Sequence, residues 1–156
     1  MAHSSFEQDI FIHASPEEVK TFLSTLDNHT QIHPLIVNIR HTHTSTAQDG
    51  TTIDHYIIRD RMKQGPFLMT FSYRVEMSIN AQGTIVYDAH QTPGIYLHNT
   101  TQCLAEGDGT RVKERVEITS PGLLAKTVYT QALASHQEMF IKLKQLLEER
   151  YTRTVS

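Results

Sequence analysis

The sequence has little of what several large functional classes require. It holds a single cysteine, Cys103, so no internal disulfide can form and the chain suits a reducing compartment. It has no CxxC pair and no histidine close to Cys103 in sequence, so thiol catalysis has no local support. It lacks any block of basic residues: 14 Lys and Arg against 17 Asp and Glu leave a net charge of −3. Phosphate neutralisation needs a concentrated basic footprint, so nucleic acid is not expected as a partner. No apolar run approaches the roughly 20 residues of a membrane helix. The first residues, MAHSSFEQDIF, offer no charged start followed by an apolar stretch, so no secretory leader is expected and the expected location is cytoplasmic. Repeats, low-complexity tracts and linkers are absent, and 156 residues suit a single domain, 1–156, with a sizeable core.

What is present is β-patterned sequence between two helical signals. FEQDIFIHA (6–14) alternates at Phe6, Gln8, Ile10 and Ile12 and reads as a strand. Ser15, Pro16 and Glu18 then form a helix-start signal, a capping residue, a first-turn proline and the last position of a Ser-x-x-Glu box. Val19, Phe22, Leu23 and Leu26 recur at helical spacing, and Pro34 ends any further turn. From Leu35 to Ser120 six β-patterned segments alternate with turn signals, the pattern of an antiparallel meander. In the clearest of them Phe67, Met69, Phe71, Tyr73, Val75 and Met77 share one face, with Arg74 and Glu76 on the other. After Gly122 about thirty residues run without a breaker. Leu124, Val128, Ala132, Met139, Leu143 and Leu147 form an apolar stripe, broadened by Phe140 and Leu146. Such a helix must lie across the sheet to bury that stripe, which makes the class α+β.

Three segments carry a resemblance: DIFIHASPEEVKTFLSTLDN at the start, LAEGDGTRVKERVEI late in the meander, and AKTVYTQALASHQEMFIKLKQLLEE at the end. Together they resemble the START-like, or SRPBCC, superfamily, and within it the polyketide cyclase/dehydrase and lipid-transport family. The resemblance implies a helix-grip fold, a curved antiparallel sheet of six to seven strands around a long C-terminal helix with an internal hydrophobic cavity. It implies a hydrophobic or aromatic small molecule as partner, such as a lipid, quinone or polyketide. It leaves room for a homodimer, and it brings no cofactor and no catalytic motif.

On such a frame GTRVKERVEI poses a question. Val112, Val116 and Ile118 alternate toward the interior, and Glu114 shares their face. An inward glutamate needs donors or a raised pKa, so it reads as a ligand-anchoring group or general base, set against a structural hydrogen bond. If Gly107, Asp108 and Gly109 form a three-residue loop, Gln102 sits opposite Glu114, and Tyr96 and His98 face inward with it. A two-residue loop would instead bring in Cys103, Thr101 and Asn99. The expected cavity contacts are Met69, Phe71, Tyr73, Tyr96, His98, Gln102, Glu114, Val116, His136, Met139 and Phe140, with Glu114, His98 and Tyr96 as candidate catalytic groups. His136 lies on the apolar stripe, where a histidine is more often a satisfied core residue. His29 and His33, four apart, and His41 with His43 invite a zinc reading, but no carboxylate or cysteine completes a ligand set, so exposed histidines and no metal are expected. Three functions remain open: a small-molecule binder, an aromatase/cyclase-type enzyme, and a non-catalytic module binding a protein through its outer sheet face near Arg74 and Glu76.

Overall fold

The computed structural model describes residues 1–155. The elements run β1 (Ala2–Ile12), α1 (Pro16–Ser24), a 3-10 segment (Leu26–Gln31), β2 (Ile36–Thr46), β3 (Thr52–Gln64), β4 (Phe67–Ile79), β5 (Ile85–Gln91), β6 (Ile95–Glu106), β7 (Gly109–Ser120), a 3-10 turn (Gly122–Leu124) and α2 (Ala125–Val155). No helix among the described residues is long and apolar enough to cross a membrane.

The strands form one seven-stranded sheet in the order β1-β7-β6-β5-β4-β3-β2, every pairing antiparallel. β2 to β7 are the expected meander, and β1 returns to pair with the last strand. The two edge strands are therefore consecutive in sequence. Their connection, α1 and the 3-10 segment, has to bridge the open side of the sheet. α1 starts where the sequence says it should, with Ser15 Oγ accepting from the Glu18 amide at 3.2 Å and Pro16 in the first turn. The segment before Pro34 winds as 3-10 rather than α-helix. β1 begins earlier than its alternation suggests, because it pairs with β7 continuously from Ala2–Ser120 to Ile12–Thr110.

α2 lies across β1 and β7 and buries Ala132, Met139, Phe140, Leu143 and Leu147, the stripe read from the sequence. Its C-terminal half closes a core with Ile12, Val19, Phe22, Ile32, Met77, Ile85 and Val112. Its N-terminal half packs on a smaller cluster of Phe6, Val116 and Ile118. A third cluster, Leu26, Ile36, Ile58 and Val75, lies at the β2–β4 side of the sheet. These clusters do not merge into a solid interior. Between them a cavity of about 190 Å³ is left under α2.

Two differences from the sequence reading follow from local geometry. The β6–β7 turn has two residues, not three: Glu106 pairs with Gly109, and Gly107 takes φ +54, the positive φ that a tight II′ hairpin turn needs at its first central position. Gly109 is then a strand residue, and it has a separate reason to be glycine: a Cβ there would lie 2.3 Å from the Ile12 carbonyl oxygen and 2.7 Å from the Phe11 ring. The shorter loop shifts the register by one. Thr101 sits opposite Glu114, Asn99 opposite Val116 and Cys103 opposite Val112. The second difference concerns β4. β5 pairs only with Arg74–Ile79, so the outer half of β4 has β3 as its sole neighbour, and residues 67–70 overhang with β3 as a two-stranded hairpin. Met69, on that overhang, is 45 % exposed.

Candidate functional site

β7 delivers Glu114 to the inner face of the sheet because Val112, Val116 and Ile118, all buried, flank it at period two. The Glu114 side chain is 1 % exposed. A carboxylate so placed must be given donors, and three elements supply them. Gln8 of β1 donates from Nε2 to Oε1 at 2.8 Å, and Asn99 of β6 donates from Nδ2 to Oε2 at 2.7 Å. His136 of α2 donates from Nδ1 to Oε2 at 2.9 Å. The donors are themselves held: the Gln8 amide also reaches the His136 carbonyl at 3.0 Å, and Thr101 Oγ1 donates to Asn99 Oδ1 at 2.9 Å.

Glu114 and His136 form a buried ion pair. Burial pushes the carboxyl pKa up, but the His136 charge and the hydrogen bonds from His136, Gln8 and Asn99 hold it below its ordinary value. Burial opposes the imidazolium too, and Glu114 outweighs it, with a contribution from Asp60, so that His136 titrates above its ordinary value. With Nδ1 committed to Glu114, Nε2 carries the other proton in the imidazolium form that the raised pKa favours. It has no partner among the described residues, where no buried side-chain polar atom goes unpaired. It therefore opens onto the cavity that His136 lines.

Two histidines of the 3-10 region lie against the same space. His33 Nδ1 accepts from the Leu35 amide at 3.2 Å, which places the proton of the neutral ring on Nε2. Burial first, then the charge of His136, lowers the His33 pKa to about 3, and the two rings meet edge to face at 5.9 Å. His29, buried, bonds through Nε2 to the Leu23 carbonyl at 2.9 Å, and burial lowers its pKa. The expectation that these two are exposed is thus corrected: the chain must fold them inward to bridge the edge strands. His41 and His43 on β2 are exposed. Among the described residues no three His, Cys, Asp or Glu side chains converge as a metal set.

A second polar group lies on the β3–β4 side of the cavity. Asp60, 6 % exposed, accepts from the Tyr73 hydroxyl at 3.1 Å through Oδ1. Burial raises its pKa to about 6, against the Tyr73 bond and the His136 charge. Its Oδ2 has no partner among the described residues and is not sealed off. The rest of the lining is largely apolar, including Ile58, Phe71, Leu97, Val128, Met139 and Phe140. Gln131 of α2 touches Met62 of β3, so the helix meets the overhanging hairpin beside the cavity.

Of the residues expected to face the cavity, Phe71, Tyr73, Glu114, His136, Met139 and Phe140 line it. Val116 is buried beside it in the Phe6 cluster. Tyr96, His98 and Gln102 do not line it. The one-residue register shift turns them to the outer face, where Tyr96 donates to Asp88 at 2.5 Å, His98 Nδ1 lies 2.6 Å from the same carboxylate oxygen, and Gln102 is exposed. Met69 is also outside, on the overhang. The residues of β6 that line the cavity are Ile95, Leu97, Asn99 and Thr101. Asp60 was missed, although Tyr56, Ile58 and Asp60 alternate on one face of β3. Cys103, partly buried, has its thiol pKa pushed up by burial to about 11, which favours the thiol over the thiolate at neutral pH.

No protein-family model and no curated protein sequence matches the chain. Solved structures do. The di-domain ARO/CYC BexL, from the BE-7585A biosynthetic pathway, superposes with a TM-score of 0.72 at 15 % identity over 94 % of this chain and 50 % of its own. The di-domain ARO/CYC StfQ, from the steffimycin pathway, gives 0.72 at 16 % identity over 96 % of this chain and 52 % of its own. This chain therefore spans about half the length of either di-domain protein. The Zhui aromatase/cyclase from Streptomyces sp. R1128 gives 0.66 at 11 % identity over 99 % of this chain and 97 % of that one. Likeness at such low identity is a likeness of architecture. A long helix packed across a seven-stranded antiparallel sheet, matched over nearly the whole chain, gives this protein the helix-grip architecture of those aromatase/cyclase structures.

Proposed function

We propose that the protein binds an apolar, aromatic small molecule in the cavity beneath α2. One observation carries the reading: a charged pair, Glu114–His136, is buried beside a mostly apolar void and keeps one polar atom turned into it. A buried ion pair adds little to stability compared with well-packed hydrophobic residues. Its use here is to orient a guest, in the manner of pockets whose apolar walls supply affinity and whose few polar groups fix the pose. Size narrows the guest. A cavity of about 150 Å³ accepts benzene, so about 190 Å³ suits one substituted ring rather than a long folded chain. Protein taken from its natural host, denatured and extracted, should release an aromatic molecule detectable by mass spectrometry. Recombinant protein should take up a small aromatic probe with saturation at one site. Failure of every aromatic probe to bind would end the proposal.

A second reading is favoured by the likeness to BexL, StfQ and Zhui and by the pairing of a cationic imidazole with a second acid across the cavity. In it the protein is an aromatase/cyclase-type enzyme, with His136 and Asp60 rather than Tyr96 or His98 as its acid–base groups. Loss of turnover of a small β-diketone in His136→Asn, with the fold retained, is the expected result. Undiminished turnover removes the acid–base role.

A further inference from the structure

The lining is polar at two places that offer opposite chemistry. At one, His136 Nε2 and His33 Nε2 are both N–H donors: His136 because Glu114, accepting from three side chains, is an ionised carboxylate needing a counter-charge, and His33 because its Nδ1 already accepts from the Leu35 amide. At the other, Asp60 offers an acceptor. Tyr73 donates to Oδ1, Oδ2 has no partner among the described residues, and Asp60 lines the cavity. The two places belong to opposite sides of the grip, α2 with the 3-10 segment on one and β3 with β4 on the other. They are near enough for the charge of His136 to lower the Asp60 pKa and for Asp60 to raise that of His136. Apolar side chains such as Ile58, Phe71, Leu97 and Phe140 line the same cavity.

We propose, building on the aromatic-binding reading above, that the preferred ligand is a single aromatic ring with a hydrogen-bond acceptor at one end, received by His136, and a hydroxyl or amine donor at the other, received by Asp60. A ligand with an acceptor at both ends leaves the Asp60 oxygen facing another oxygen. A ligand with a donor at both ends leaves the imidazole N–H facing a hydrogen. Each mismatch buries an unpaired group, which is how sites built from hydrogen bonds reject analogues. The Glu114–His136 pair fixes the sense in which the ring enters.

Four compounds of nearly one size separate the possibilities: toluene, benzaldehyde, phenol and 4-hydroxybenzaldehyde, titrated by calorimetry or by ligand-observed NMR at pH 6.5, where the phenol groups keep their proton and Asp60 is mostly ionised. The expected order places 4-hydroxybenzaldehyde about tenfold or more tighter than benzaldehyde or phenol, since each end gains a charge-assisted hydrogen bond. Asp60→Asn turns an acceptor into a donor at one end. It should erase the advantage of the hydroxyl and shift preference to terephthalaldehyde, which carries an acceptor at both ends. A purely structural role for Asp60 would weaken all ligands alike and leave their order unchanged. Equal binding of all four compounds by the wild type would overturn the two-ended site while leaving aromatic binding intact. No binding of any, toluene included, would overturn both. The wild-type comparison decides by itself should the variant not fold.

Discussion

Replacing His136 by asparagine puts an amide nitrogen close to where Nδ1 stood and removes the only cation within 4.0 Å of Glu114 among the described residues. Gln8 and Asn99 still donate, at 2.8 and 2.7 Å, so the carboxylate keeps most of its hydrogen bonds and loses its counter-charge. The penalty has a ceiling that the structure lets one work out. A buried carboxyl that cannot stay charged can bind a proton instead. From the ordinary value of 4.5, doing so at pH 7 costs about 3.4 kcal/mol, 2.5 pH units at about 1.36 kcal/mol each. That agrees with the ~3–5 kcal/mol typical of breaking a buried pair from one side. The sign is fixed by linkage. In the wild type the folded Glu114 pKa lies below its unfolded value, so its contribution is present above pH 4.5 and lost as pH falls through the folded pKa. In the variant the folded pKa lies above 4.5, so stability falls as pH rises from 4.5 toward it. With the ~1 kcal/mol of lost ring packing present at every pH, the gap between the two proteins should reach about 4 kcal/mol at pH 7 and about 2 kcal/mol at pH 5.5, and fall to the packing loss of ~1 kcal/mol near pH 4.5. Urea unfolding of both proteins at these three pH values measures it. A gap that stays constant across the range, or one below about 1 kcal/mol at pH 7, would refute the charge argument.

Asp60→Asn should act in the opposite direction. The folded carboxyl titrates at about 6 against an ordinary 3.8, so its ionisation penalises the fold as pH rises through that window. The variant should gain about 3 kcal/mol at pH 8 and nothing near pH 4, read as a shift in unfolding midpoint; a loss at pH 8 contradicts the assignment. The His33 ring should show no protonation shift by NMR between pH 8 and pH 4.5. Its depressed pKa of about 3 makes the unfolded chain the better proton binder between that value and 6.5, so this group makes stability rise with pH across the interval. Gly109→Ala should lose about 3 kcal/mol, because the Cβ meets the backbone oxygen of Ile12 at 2.3 Å. Gly122→Ala, where nothing lies within 4 Å, is the control and should be near neutral in the same denaturation assay.

The parts of the fold that were legible are those with a period. The α2 stripe from Val128 to Leu147, the inward alternation of Val112, Glu114, Val116 and Ile118, and the capped start at Ser15 are each local patterns. Hydrophobic burial and capping enforce such patterns residue by residue. What was not legible depends on a single count. Whether the GDG turn holds two or three residues decides the facing of all of β6, since a one-residue slip exchanges the two faces of a strand. Tyr96, His98 and Gln102 moved outside on that count alone, and Asn99 and Thr101 moved in. Gly109 misled because its lack of a Cβ serves the close approach of β1, a tertiary contact, rather than the turn. Asp60 lies within a strand whose period was visible, yet a carboxylate ending an apolar face usually marks a strand end reaching water. His29 and His33 were obscured by the ten histidines of the chain and by a connection whose path no spacing specifies.

The pairing of β1 with β7 alone has a consequence for how the molecule is born. On a ribosome the opening strand emerges about a hundred residues before its sole partner, and through that interval Phe6, Ile10 and Ile12 have no sheet to join. The meander β2 to β6 can zip up early from neighbouring hairpins, but the seam between first and last strands must wait, and long-separated pairings are the slow ones. A nascent chain stalled before β7 would display an unsatisfied, greasy ribbon of the kind that chaperones capture.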